Sequence, residues 1–189
     1  MLSRSFFTQP AIQVAKNLLG KYIVRQLKDN QQIIGKIVET EAYLGPQDRA
    51  AHSFGGKITP RNKIVYGAGG YIYIYLVYGM YWQLNFVTGW INQPECVLIR
   101  ALEPIQPKSD EVKILPNGPG KLCKYLNLDK SFYGWDLCQG KGIWLEEGEK
   151  DNSALIISTS RINIDYAGLY WSRRKLRFYI KDNPWVSRR

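Results

Sequence analysis

The stretch QIIGKIVETEAY, residues 32–43, decides how this chain is read. As a strand, its alternation places Glu39, Glu41 and Tyr43 on one face and Val38, Thr40 and Ala42 on the other. Two carboxylates then share a face, about 7 Å apart by the strand repeat. Burying both is expensive unless each finds a partner. An exposed sheet face is the simpler explanation. Against it stands Arg100, a lone charge in the apolar segment CVLIRAL (96–102), which needs a buried acid as much as a buried acid needs it. A carboxylate beside an arginine stays ionised near neutrality and can serve as a general base.

Working outward, KYIVRQL (21–27) forms a hairpin with this strand across Lys28, Asp29 and Asn30. Upstream, Thr8 reads as an N-cap, followed by Pro10 and a helix through AIQVAKNLL that stops at Gly20. Downstream, a loop (44–63) carries Gly-Pro, Gly-Gly and Thr-Pro breakers, and with them the only histidine, His52. GGYIYIYLVYGMYWQLNFV (69–87) then predicts two strands joined at Tyr78-Gly79-Met80. In the first of these, Ile72, Ile74 and Leu76 form a core face. Tyr71, Tyr73 and Tyr75 on the other face suit either an aromatic platform for nucleic-acid bases or a second core layer with bonded hydroxyls. Tyr78 sits at the predicted hairpin tip, poorly buried by its own fold, and suits a wedge that enters a base stack. CVLIRAL predicts a short buried strand, GPGKLCKYL opens a helix, and IWLEEGEKD ends in an acidic turn. ALIISTSRINI and KLRFYIK have strand character. The expectation is one mixed α/β (α+β) domain over residues 1–189. It is built around a curved antiparallel sheet, with a protruding β-hairpin and flanking helices.

The formal charge of +10 is the strongest global feature, and residues 172–189 carry seven Lys or Arg against one acid. Such asymmetry points to a polyanionic partner, nucleic acid before membrane. No apolar run approaches the length of a membrane span, and MLSRSFFTQP lacks the apolar region of a signal peptide, so nothing directs the chain out of the cytoplasm. Cys96, Cys123 and Cys138 are odd in number and widely spaced, which favours reduced thiols over disulfides or a zinc site. GPGK (118–121) is not a phosphate loop, because Leu115 and Leu122 stand where that pattern needs Gly and Ser or Thr.

Six blocks together resemble the alkyladenine (3-methyladenine) DNA glycosylase family. They are VETEAYLGPQDRAAHS (38–53), TPRN (59–62), YIYIYLVYGMYWQLN (71–85), VLIRALEP (97–104), NGPGKLC (117–123) and LRFYIKDNPWVS (176–187). The resemblance runs in order from about residue 5 to the C-terminus. It implies that Glu41 is the general base for the hydrolytic water, and that Arg100 helps hold that water and carboxylate. By the same resemblance Tyr43, His52 and Tyr75 enclose a flipped base, Asn85 crowds the amino group of normal guanine, and Tyr78 fills the gap left in the duplex. Glu39 receives no role.

The implied activity is monofunctional: an alkylated or deaminated purine is excised from double-stranded DNA, without cofactor or metal and without strand cleavage. A monomer is expected, associated with DNA in the cytoplasm, or in the nucleus of a eukaryote. Compared with longer family members the chain has little before its first helix, and it has a slightly longer stretch, TGWINQPE (88–95), after Asn85. Three other readings compete with this one. A metal-dependent hydrolase would use Glu39, Glu41, Asp48 and His52 as ligands, a sugar-cleaving glycosidase would use the carboxylate pair, and a DNA-binding module would keep the pocket without turnover.

Overall fold

The structure is a computed structural model that describes residues 1–107, 113–148 and 155–188. Strand β2 (Gln32–Tyr43) is its spine. Along one edge it pairs with β5 (Glu95–Gln106) from Ile34 to Tyr43. Along the other it pairs first with β1 (Tyr22–Gln26) and then, at Glu39–Glu41, with β8 (Arg177–Ile180). The segment that carries both glutamates therefore has strands on both edges. The remaining strands are β3 (Ile72–Val77), β4 (Tyr81–Thr88), β6 (Ile143–Glu146) and β7 (Ile156–Thr159). Every pairing is antiparallel, in the order β3-β4-β5-β2-β1-β6, with β7 joined through β8. This matches the expected antiparallel sheet, and β3 and β4 form the hairpin.

Four short helices are described: α1 (Arg4–Phe7), α2 (Ala11–Asn17), α3 (Pro119–Tyr125) and α4 (Leu169–Arg173). One boundary differs from the sequence reading. Thr8 ends α1, and α2 begins after Pro10. The first free amide of α2, that of Ala11, donates to the Glu95 carboxylate at 2.7 Å, so its cap comes from a distant strand rather than a neighbouring hydroxyl. CVLIRAL also proves to be the middle of a 12-residue strand. Part of the expected acidic turn, residues 149–151, lies outside the described residues.

The main core lies between α2, α3 and the sheet. Phe7, Val14, Leu18, Ile37, Phe86, Ile99, Leu102, Leu122 and Phe178 are fully buried in it. Each such side chain contributes about 1.5–3 kcal/mol of burial free energy. Gly35 is needed here, because a Cβ at that position would stand 3.0 Å from the Leu102 side chain.

The β2–β5 register slips once between Ile34 and Gly35 and then twice around Glu39, between Ile37 and Glu39 and again between Glu39 and Thr40. Val38 is the extra residue on one strand and Arg100 on the other. Val38 therefore leaves the face of Thr40 and Ala42 and packs with Ala101 and Ile180 in a separate cluster. Bulges of this kind re-aim side chains, and here Arg100 is turned onto the two glutamates.

Candidate active site

Glu39 and Glu41 are both fully buried, so the exposed-face explanation fails. Each has partners. Arg100 places its Nε 3.1 Å from Glu39 Oε1 and a terminal guanidinium nitrogen 3.1 Å from Glu41 Oε1. Arg177, opposite Glu41 on β8, donates to Glu39 Oε1 at 2.7 Å, while the Ser187 amide donates to Glu39 Oε2 at 2.7 Å. The result is a buried quartet of two carboxylates and two guanidiniums with no net charge. Burial opposes the charge on Arg100, but Glu41 and Glu39 outweigh it and hold its pKa above the usual arginine value.

Arg177 is one of the seven basic residues of the 172–189 stretch. It is buried, paired with Glu39, and also bonded to the Ser160 and Arg188 carbonyls, so its charge serves the interior. Arg173 and Lys175 remain exposed.

Glu41, unlike Glu39, is joined to a cavity through a tyrosine. Its Oε1 also accepts the Ile162 amide at 2.9 Å, and its Oε2 accepts the Tyr43 hydroxyl at 2.9 Å. Burial, reinforced by the Glu41 charge, pushes the Tyr43 phenol well above its ordinary range, so it remains a donor. Behind Tyr43, the Arg161 guanidinium sits 4.6 Å from the ring centre. Arg161 donates to both oxygens of Asp48, at 2.6 and 2.8 Å, and to the Ala42 carbonyl at 3.0 Å. Asp48 in turn accepts the amides of Leu44 and Ala50, fixing the loop that leads to His52.

The cavity, about 50 Å³ in volume, is lined by Tyr43, His52, Tyr73, Tyr75, Asn85 and Tyr166 among others. All four expected pocket residues therefore meet there. His52 Nδ1 lies 2.7 Å from the Tyr73 hydroxyl, and its ring meets Tyr75 edge-on with centroids 4.6 Å apart. Burial raises the Tyr73 phenol far above its usual pKa, and burial with nearby Arg61 lowers that of His52. Both shifts favour a neutral imidazole beside a neutral phenol. Tyr73 is thus core with a bonded hydroxyl, while Tyr75 is half-buried and faces the cavity. The TPRN block has a local purpose: buried Asn62 donates to the His52 and Lys57 carbonyls and accepts the Thr59 amide.

Asn85 donates to the Tyr73 and Gln83 carbonyls, both at 3.2 Å. Tyr78 stands apart at the hairpin tip, 86 % exposed. Both Tyr78 and Gly79 have positive φ, as in a type I′ turn, and the Met80 amide closes on Val77. The hairpin is braced by α3: a Cβ on Gly120 would stand 2.9 Å from the Tyr81 side chain, and Lys124 lies over the Tyr81 ring. A larger recess, about 620 Å³, opens beside Ile33 and Tyr125 and contains none of the expected site residues.

The methylpurine-DNA glycosylase family profile matches residues 5–184. The chain belongs to that family. A Borreliella burgdorferi protein provisionally named a 3-methyladenine DNA glycosylase is 48 % identical, covering all of both chains. The DNA-3-methyladenine glycosylases of Mus musculus and Homo sapiens are 43 % and 40 % identical over 98 % of this chain, which spans 61 % and 67 % of theirs. Membership in a glycosylase family agrees with the resemblance read from the six blocks.

Three residues around this glycosylase-family site were not singled out from sequence: Arg161, Arg177 and Tyr166. Arg161 is the one charge in ALIISTSRINI, a signal like that of Arg100, whereas Arg177 is hidden among the basic residues around it. Exposed Tyr166 carries no such signal. Asp48, considered only as a metal ligand, is engaged by Arg161. No helix among the described residues is long and apolar enough to cross a membrane.

Proposed function

We propose that this protein is a monofunctional DNA glycosylase that removes damaged purines, alkylated ones first, from duplex DNA. The observation that carries the reading is the environment of Glu41. It is a fully buried carboxylate beside a guanidinium, with one oxygen on a tyrosine that lines the cavity containing the expected pocket residues.

The damaged nucleotide leaves the stack at a cost of a few kcal/mol, with Tyr78 entering the gap. His52 and Tyr75 form one wall of the base pocket and Tyr43 the other. A purine is larger than the cavity, so these walls part as it enters. A methylated purine is cationic, and stacking on electron-rich phenol rings favours it over a normal base. Water held by Glu41 attacks C1′ as the bond to the base nitrogen breaks. Its proton passes to the carboxylate, and the cationic purine departs neutral. Ionised Glu41 also stabilises the positive charge developing on the sugar. Asn85 crowds the exocyclic amine of guanine. Deaminated purines such as hypoxanthine fit the same pocket but need a proton from elsewhere. No lysine is among the residues lining the cavity, in keeping with hydrolysis to an abasic site rather than strand cleavage.

The test uses duplexes that each carry one alkyl-purine, hypoxanthine or etheno-adenine. Each is incubated with wild type or Glu41→Gln in chelator and assayed for breaks with and without alkali. Alkali-dependent breaks that vanish in the variant are expected. Breaks that persist in the variant would assign the chemistry to another group, and folded protein that binds DNA without releasing any base would leave a binding module.

A further inference from the structure

The cavity rim continues onto a surface that the reaction above does not use. Tyr166 lines the cavity yet is 72 % exposed, with its hydroxyl donating to the Ala50 carbonyl at 3.3 Å. Tyr75, on the strand that leads to the hairpin tip, lines the same cavity.

Three residues on, α4 opens with Leu169 and Tyr170, 72 % and 70 % exposed, while Trp171 beside them is buried. The Arg174 guanidinium lies 5.7 Å from the Tyr170 ring centre and 5.0 Å from that of Trp171, and the two rings meet edge to face. On the loop that leads to His52, Arg49 covers the exposed Phe54 ring. One of its guanidinium nitrogens stands 4.0 Å from where a Cβ on Gly168 would lie, so the two segments adjoin.

Large apolar side chains gathered on a surface mark an interaction site. Here they are interleaved with cations: residues 161–175 carry Arg161, Arg173, Arg174 and Lys175 against the single acid Asp165, and Arg161 is spent internally on Asp48. Aromatic faces mixed with arginines match the chemistry of nucleic acid, whose sugars and bases offer flat apolar surface between phosphates. Stacking also restricts Arg174 before any ligand arrives, which reduces the ordering that binding requires.

We infer that the rim from Arg49 and Phe54 through Tyr166 to Leu169, Tyr170 and Arg174 is a second DNA-contact surface, which grips the duplex beside the extruded nucleotide. Leu169 and Tyr170 pack on sugars and base edges, and Arg173 and Arg174 meet phosphates. The inference rests on the glycosylase reading for its placement of DNA at the cavity mouth. The hairpin tip and this rim then flank the cavity mouth, so the duplex is held at two places.

Two double variants test it, Leu169→Ser with Tyr170→Ser and Arg173→Ala with Arg174→Ala. Dissociation constants are measured across a salt series on duplexes carrying a stable alkyl-purine, with thermal melts as the folding control and Arg173→Ala alone in case the arginine pair folds poorly. The apolar pair should weaken binding about tenfold with the salt slope intact. The arginine pair should lower the log–log slope by about 0.9 for each lost phosphate contact. Variants that melt like wild type and bind with unchanged affinity and slope would overturn the inference. Wild-type base release on the same duplexes separates the two ideas: release with ridge variants that bind normally sinks the ridge alone. No release, with binding still lost in the variants, sinks the glycosylase reading and keeps the ridge.

Discussion

Glu39 takes the Nε–H of Arg100 at 3.1 Å, while another nitrogen of the same guanidinium faces Glu41 at 3.1 Å. Arg100 therefore bridges the two carboxylates that the strand alternation placed on one face. Glu39 fixes one end of that bridge, and Arg177 balances the charge this requires.

Replacing Glu39 with Gln leaves two buried guanidiniums against Glu41 alone. Breaking a buried pair in this way costs about 3–5 kcal/mol, readable in denaturant unfolding. Adding Arg177→Met should recover part of the loss, so the pair will be non-additive in a double-mutant cycle. Additive effects would mean the quartet is not one unit. Single-turnover base release by Glu39→Gln should slow by up to about 100-fold, because Arg100 loses the anchor that aims it.

At Tyr78, stability and binding should move in opposite directions. A non-glycine residue at φ +52 carries backbone strain that glycine relieves. Tyr78→Gly should therefore melt at the same temperature as wild type or higher, while binding lesion duplex more weakly. Tyr78→Ser should weaken binding without changing the fold. Wild-type affinity in both variants would remove the wedge role.

His52 gives a pH signature. Burial first, and then Arg61, lowers its folded pKa below the usual value near 6.5. Between those two values the unfolded chain binds a proton that the folded chain does not, so stability rises with pH across the window and falls on acidification from about pH 7. The slope of unfolding free energy against pH from 7 to 5 should be steeper in wild type than in His52→Gln. Equal slopes would mean that His52 titrates alike in both states. Excision of cationic purines should fall only on further acidification, below the lowered folded pKa, where the ring in the folded protein becomes an imidazolium that repels them.

The Asp48–Arg161 pair should behave as a structural clamp with a catalytic consequence. Asp48→Asn strands a fully buried guanidinium whose Nε already lacks a partner. A loss of about 3–5 kcal/mol is expected in chemical denaturation. Ile162, next to Arg161, gives its amide to Glu41, so base release should slow as well. Unchanged stability would show that the pair is not intact in solution.

Much of this arrangement was legible in the chain. Alternation at 32–43 and 71–87 identified the strands because side-chain direction in a strand is a local property with period two. Gly79 and its neighbours marked the hairpin tip because turn conformation depends on a few adjacent residues. Arg100 was legible as a problem, a charge among apolar residues, and its solution required knowing what lay opposite. Arg161 posed the same problem, whereas Arg177 was hidden among the basic residues of the C-terminal stretch. The α2 cap was misplaced because Thr8 is a good local candidate, whereas the real acceptor, Glu95, lies 84 residues away.

Sequence alone determined the strand periodicity, the tip tyrosine, the loop breakers and the family blocks, all features that neighbouring residues settle among themselves. Tertiary structure alone decided that Glu39 and Glu41 are buried rather than exposed, that one tail arginine faces inward, and that Tyr166 joins the pocket. Burial and charge pairing depend on the register of β2 against β5 and β8, with the two bulges around Glu39, and on segments more than 100 residues apart meeting at one carboxylate.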